Sequence, residues 1–234
     1  MINSSKSGNI AIIRLKQMLR GSIMIISNTI NDFFNNFHLN EQSRLSYFTK
    51  YRTEFQHAGY DEHVLCQNIH PTLLKLEQDL PLILKINTKL VHIIFEVRLK
   101  FLKQYQTYLR PDIYFLVGTY KEDASIQLEG NPHLYLFIES LCHKFDLLND
   151  VIAYYFAKLY IYEIIKDYNS EKITTTILNN KHVILEEALI LHILQTLNYT
   201  YPYKDRHDFK AIQQLASKLE SELTTETILQ VIQK

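Results

Sequence analysis

The segment that most constrains the fold is a helix-forming stretch with almost no polar side chains, Leu148–Tyr160, which reads LNDVIAYYFAKLY. A helix that is apolar on every side has to be covered on every side by other elements. Past Asp150 its one charged residue is Lys158, and a buried ammonium group without a partner is costly. The stretch therefore predicts a buried helix and raises the question of what its lysine contacts.

Long periodic segments with few breaks predict that helices dominate the rest of the chain. Only five glycines and five prolines occur in 234 residues, which indicates few tight turns. Apolar residues recur at helical spacing, and Pro81 is expected to kink or split the longest of these segments. The predicted helices cover residues 28–39, about 40–57, 72–109, 146–167, 181–197 and 207–232.

Three short β-rich runs interrupt the helical pattern. They are Ile113–Gly118, Ala124–Leu128 and Leu134–Glu139, with turn residues between them. The fold class predicted from this order is α+β and helix-dominated, with about six to eight helices and a small three-stranded sheet near residues 113–139.

The predicted domain organisation is a single globular domain over residues 27–234, with a possible seam near residue 110. Residues 1–26 are expected to form a loosely attached N-terminal arm, because basic residues precede a short apolar run at Ile23–Ile26. That run is too short for the core of a signal peptide, so the sequence favours a cytoplasmic over a secreted protein. No window approaches the roughly 18 apolar residues of a transmembrane helix.

Charge and cysteine content exclude some classes of function. The 25 basic residues balance 25 acidic ones, whereas proteins that bind nucleic acid usually carry a basic excess. Two cysteines cannot build a disulfide framework, which indicates a reducing compartment. The expected partner is another protein, not a nucleic acid.

No familiar catalytic motif is present: the sequence lacks a P-loop, GxGxxG, GxSxG and HExxH. An enzymatic function is therefore not favoured. His182 and Glu186 are four residues apart on a predicted helix and could both contact a metal, although an ordinary surface pair is the commoner explanation. Cys142 and His143 could form a thiolate–imidazole pair, but neighbours on a helix point about 100° apart, which favours a structural cysteine.

The order of features over about residues 110–190 resembles the predicted zinc-dependent peptidases that include the gliding-motility lipoprotein B family. The residues that carry the resemblance are Pro111–Gly118, PDIYFLVG, and the strand end Leu136–Glu139. In that family a metal helix with HExxH follows, and then a helix that carries a glutamate. The resemblance places Val151–Lys158 at the metal helix and Leu185–Ala188 at the glutamate helix.

The departures from the family pattern imply that the metal has been lost. In the matching frame Tyr154 replaces the first histidine, Tyr155 the general-base glutamate and Lys158 the second histidine. Zinc needs neutral imidazoles or anionic ligands, so no cofactor and no catalytic residue is expected. Lys158 is expected to pair with Glu186 or Glu187, or else to reach solvent from the edge of the helix.

The resemblance therefore favours a non-catalytic, zincin-like protein, a pseudo-metallopeptidase that binds another protein. Its binding cleft is expected to border the strand Leu134–Glu139, because edge strands pair with extended peptides. Two alternatives stay open. One is an active enzyme with an unrecognised or divergent metal site around His182 and Glu186, and the other is a helical scaffold or adaptor unrelated to peptidases.

Overall fold

A computed structural model describes residues 24–37, 41–128, 130–167 and 183–219. The predicted arm lies outside the described residues except for its last three positions. The end of the last predicted helix, from residue 220 onwards, also lies outside them.

The described residues form a helix-dominated α+β fold with a small mixed sheet, which confirms the predicted class. Its strands are β1 (Ile26–Asn28), β2 (Asp112–Leu116), β3 (Ala124–Gln127) and β4 (His133–Phe137), in the spatial order β1-β2-β4-β3. Strands β1, β2 and β4 are parallel, and β3 runs antiparallel to β4. A wholly helical scaffold is thus excluded.

Strand β1 makes the sheet four-stranded, not three-stranded as predicted. Ile26 pairs with Ile113 and Asn28 with Phe115, and the Thr29 N–H continues the contact by donating to the Phe115 carbonyl at 3.2 Å. A three-residue strand has too few residues to show an alternating pattern, and its partner lies more than 80 residues away in the chain. Pairing of this kind leaves no local signal in the sequence.

The third predicted strand is not an edge strand. Strand β4 lies between β2 and β3, and Ile138 already begins a helix. A run as apolar as Leu134–Ile138 is typical of a strand buried on both faces, and all five of these residues are buried. The prediction that a binding cleft borders Leu134–Glu139 is therefore wrong, because among the described strands the edges are β1 and β3.

The helices surround this sheet. In chain order they are α1 (Ile30–Phe37), α2 (Glu41–Lys50), α3 (Arg52–His57), α4 (Glu62–Tyr105), α5 (Ile138–Leu141), α6 (Leu148–Asp167), α7 (Val183–Thr196) and α8 (Phe209–Ala216), with a 3-10 helix at Cys142–Leu147 between α5 and α6. No helix in these described ranges is long and apolar enough to cross a membrane.

The longest helix, α4, runs without a break through Pro71 and Pro81. Of the two outcomes expected at Pro81, a kink or a split, the split is therefore excluded. A proline inside a helix removes one hydrogen bond, but both prolines face solvent, where water can bind the carbonyl left without a donor. The buried face of α4 continues on either side of Pro81, with Leu76 at 1% exposure and Ile83 at 0%.

Helix α6 is buried at the centre of the fold, as its apolar sequence predicts. Val151, Ile152, Ala153, Phe156 and Ala157 are all 0% exposed. Helix α6 packs against α4, α7 and β3. Since α4 precedes residue 110 and the other two elements follow it, both sides of the possible seam contribute to one core.

A buried tyrosine joins the N-terminal elements to the sheet and yields a first prediction. Tyr47 of α2 is 1% exposed; its hydroxyl lies 2.6 Å from that of Thr29 and accepts the Val117 N–H at 3.0 Å. The Tyr47→Phe variant leaves this N–H unpaired, which lowers the free energy of unfolding by about 1–3 kcal/mol. Urea denaturation measures the loss, and Tyr108→Phe, at a residue 44% exposed, is the matched control that should lose far less.

Candidate functional site

A cleft of about 640 Å³ lies between strand β3 and helix α6. Its size falls within the usual range for binding pockets. Strand β3 and the loop before it form one wall, and α6 and the loop after α7 form the other. The lining residues are Lys121, Glu122, Asp123, Ala124, Ser125, Ile126, Leu128, Lys144, Tyr154, Tyr155, Lys158, Tyr162, Tyr203 and Arg206.

The free edge of β3 borders this cleft. In an antiparallel pair, hydrogen-bonded residues alternate with residues whose backbone groups point away from the partner strand. The Phe137 N–H donates to the Asp123 carbonyl at 2.9 Å, so Ser125 also pairs with β4, whereas Ala124 and Ile126 point their N–H groups outward. The Ala124 backbone interacts with the Tyr155 hydroxyl of α6, which agrees with that direction. The outward groups of Ile126 are therefore a template for another strand.

Glu187 of α7 lies next to the cleft and binds three donors from two other parts of the chain; two of them, Tyr154 and Arg206, line the cleft. Its carboxylate accepts the Tyr154 hydroxyl at 2.8 Å, the Tyr201 hydroxyl at 2.6 Å and the Arg206 guanidinium at 3.0 Å. Glu187 is 3% exposed. Burial and the neighbouring carboxylate raise the pKa of Tyr154 well above its ordinary value, so this hydroxyl stays a donor.

Glu186, the other glutamate that was expected to face α6, pairs with Lys158. Lys158 Nζ lies 3.4 Å from Glu186 Oε1, and the two side chains are 27% and 10% exposed. This answers the question raised by the sequence: the lysine of the buried helix has a carboxylate partner, and the predicted pairing with Glu186 is confirmed. Burial raises the pKa of Glu186, and Lys158 opposes that rise.

A second polar cluster lines the cleft. Asp123, just before β3, accepts the Lys144 ammonium at 2.5 Å and the Tyr203 hydroxyl at 3.0 Å. Tyr203 also reaches the Tyr155 hydroxyl at 3.4 Å. Asp123 is 9% exposed. These contacts fix the two walls of the cleft relative to each other.

The residues of the cleft do not fit a catalytic zinc ion. Tyr154 and Lys158, four apart, share the face of α6 that meets the two glutamates, but they offer a neutral phenol and an ammonium group in place of imidazoles. A cation 3.4 Å from Glu186 competes with a metal for that carboxylate. Among the lining residues there is no histidine or cysteine, the ligands that zinc prefers besides carboxylates.

The distance between His182 and Glu186, the candidate metal pair, is not defined, because His182 lies outside the described residues. Its predicted partner, Glu186, is bound to Lys158 as described above. His192, further along α7, is half-buried, and burial lowers the pKa of its imidazole.

Sequence reasoning missed the residues that the loop after α7 supplies to the site. Tyr201 and Arg206 bind Glu187, and Tyr203 binds Asp123. A weak signal was present, since Tyr199, Tyr201 and Tyr203 alternate in an otherwise polar loop. Alternating tyrosines in a loop indicate side chains that pack on one side with their hydroxyl groups bound to a partner.

Comparison of the chain with protein-family models, with curated proteins and with solved structures found no match.

Proposed function

We propose that this protein is a non-catalytic, zincin-like protein that binds an extended segment of another protein in the cleft between β3 and α6. The observation that carries the proposal is the free edge of β3, whose outward Ile126 N–H and carbonyl border a cleft of about 640 Å³. A peptide that adds to such an edge gains main-chain hydrogen bonds, and pockets for its alternate side chains give specificity.

The composition of the cleft supports binding over hydrolysis. Peptide hydrolysis of the zincin type needs a metal-bound water and a general base. The positions that would supply them by the proposed resemblance carry Tyr154, Tyr155 and Lys158, and the first and last of these engage the glutamates of α7. Such a site holds these polar groups in fixed pairs, so the outward backbone groups of Ile126 are what it offers to a ligand.

The wall opposite β3 is suited to an amphipathic ligand. Tyr155, Tyr162 and Tyr203 line it together with Lys158 and Arg206. Tyrosine rings provide apolar contact area with little conformational freedom to lose, and their hydroxyl groups can bind polar atoms of a ligand.

Strand addition is tested by removing one outward N–H group of β3. Proline is tolerated where a strand's N–H faces away from the sheet, so Ile126→Pro is expected to fold while losing the hydrogen bond that the Ile126 N–H gives to a peptide. Peptides that bind the full-length chain are first selected from a display library of random linear sequences. Their affinity for Ile126→Pro is expected to fall by about tenfold or more, which corresponds to about 1.4 kcal/mol.

The matched control is Ile126→Val, which keeps the N–H group and should bind the same peptides within about twofold of the unchanged protein. Circular dichroism verifies that both variants are folded. Equal affinity of a selected peptide for the proline and valine variants, or a selection that yields no binder, would contradict strand addition at β3.

A further inference from the structure

Three side chains that can bind a metal converge at a second place, beside the loop that joins β2 to β3. They are Asp79 of α4 and the first two residues of the 3-10 helix, Cys142 and His143, and one ligand atom of each lies within 4.8 Å of the others. His143 Nε2 is 2.7 Å from Asp79 Oδ2. Neighbouring side chains on a helix diverge, but a carboxylate oxygen of Asp79 lies within 4.8 Å of a ligand atom of both Cys142 and His143, so one ion could contact all three.

The local charge favours a divalent cation at this point. Asp79 is a buried acidic residue, at 7% exposure, and a buried carboxylate is costly unless a cation or hydrogen-bond donors accompany it. The carboxylate of Asp79 stabilises a metal ion, and a metal ion in turn deprotonates a coordinating thiol.

The surroundings hold the carboxylate in place. The Tyr120 hydroxyl donates to Asp79 Oδ2 at 2.7 Å, and partners of this kind orient metal ligands. Tyr120 has a positive φ of 58°, a strained backbone conformation that persists where the surroundings enforce it. The nearby cation, Lys75, lies over the Tyr120 ring at 3.7 Å from its centroid.

We propose that Asp79, Cys142 and His143 bind a transition-metal ion of the zinc class, with water as the fourth ligand. One carboxylate oxygen, one sulfur and one imidazole nitrogen form a donor set that zinc accepts and that magnesium or calcium does not. His143 is exposed, with 42% of its side chain accessible, so an ion can enter from solvent. On binding, the Cys142 proton leaves to solvent.

This site is distinct from the cleft between β3 and α6, and it goes beyond the proposed function. Its ligands come from α4 and from the start of the 3-10 helix, so a bound ion would join these two elements under the β2–β3 loop. Lys144, the next residue, already lines the cleft through its ion pair with Asp123. The metal would therefore stabilise one wall of the cleft without entering it.

The experiment is a titration of the purified, chelator-treated full chain with zinc and with cobalt. The unchanged protein is expected to bind one ion per chain by calorimetry, and its cobalt form is expected to show thiolate-to-metal charge-transfer absorption. His143→Ala and Cys142→Ala should each weaken zinc binding by about tenfold or more. Cys142→Ala should also abolish the charge-transfer band.

The control variants are Cys66→Ala, which removes the other cysteine of the chain, and His182→Ala, which removes the histidine of the alternative metal pair. Both should bind zinc as the unchanged protein does. His143 is exposed, so His143→Ala tests the site even where the buried Cys142→Ala fails to fold. No stoichiometric zinc binding, or a charge-transfer band that survives Cys142→Ala and disappears in Cys66→Ala, would overturn the proposal.

Discussion

Replacing Glu187 with alanine is expected to destabilise the protein more than any other single change at the cleft. The carboxylate accepts three hydrogen bonds, from Tyr154, Tyr201 and Arg206, and it is 3% exposed. Its removal leaves two buried hydroxyl groups without an acceptor and Arg206 with Asp208 alone. Each unpaired buried hydroxyl group costs about 1–3 kcal/mol, so urea denaturation should show a loss of about 2–6 kcal/mol.

Two further variants show how much of the lost stability is due to the charge of Glu187 and how much any exposed glutamate would contribute. Glu187→Gln keeps one carbonyl acceptor and removes the charge, so its loss should be smaller than that of the alanine variant. Glu77→Ala on α4, at an exposed glutamate, should change the free energy of unfolding by about 0.5 kcal/mol or less. If Glu187→Ala proves as stable as Glu77→Ala, the carboxylate does not organise the site.

Stability is expected to decrease as the pH rises from about 5 to about 7, and the cause is Glu139. This carboxyl group is 0% exposed, and burial raises its pKa from the ordinary 4.5 to about 7, although the N–H groups of Gly118 and Tyr120 oppose the rise. Between these two values the folded chain keeps a proton that the unfolded chain has lost. Unfolding then releases a proton, so higher pH favours the unfolded state.

The contribution of Glu139 to the pH dependence is on the order of 3 kcal/mol, fully present below pH 4.5 and lost as the pH passes through 7. The Glu139→Gln variant cannot ionise, so it should remove this part of the dependence. Urea unfolding at pH 5 and pH 8, with a chelator present, compares it with the unchanged protein and with the exposed control Glu77→Gln. An unchanged pH dependence in Glu139→Gln would contradict the assignment.

Local patterns in the sequence predicted those parts of the fold that local physics determines. The apolar helix at 148–160 had to be buried, and a buried lysine needed a partner. The family resemblance, not a local pattern, suggested Glu186 or Glu187 as that partner, and the structure pairs Lys158 with Glu186. The β-rich runs at 113–118 and 124–128 were likewise visible as alternating or continuous apolar segments bounded by turn residues.

The order of the strands and the complete site depend on distant contacts that such patterns do not contain. No sequence pattern near Ile26 indicates that it pairs with Ile113. An apolar strand can lie in the centre of a sheet or at its edge, and this is why the cleft was assigned to the wrong strand. Tyr201 and Arg206 reach Glu187 from a loop whose path depends on the packing of α7 and α8, which adjacent residues do not specify.

The most direct test of strand addition follows the amide hydrogen exchange of Ile126 by NMR, in the free protein and with a selected peptide bound. Its N–H faces away from β4, so it should exchange fast in the free protein and at least about tenfold more slowly in the complex, since a new hydrogen bond forms. The Ser125 amide, which pairs with β4, should be protected in both states and serves as the internal reference. Unchanged exchange at Ile126 while the peptide is bound would show that the ligand does not pair with β3.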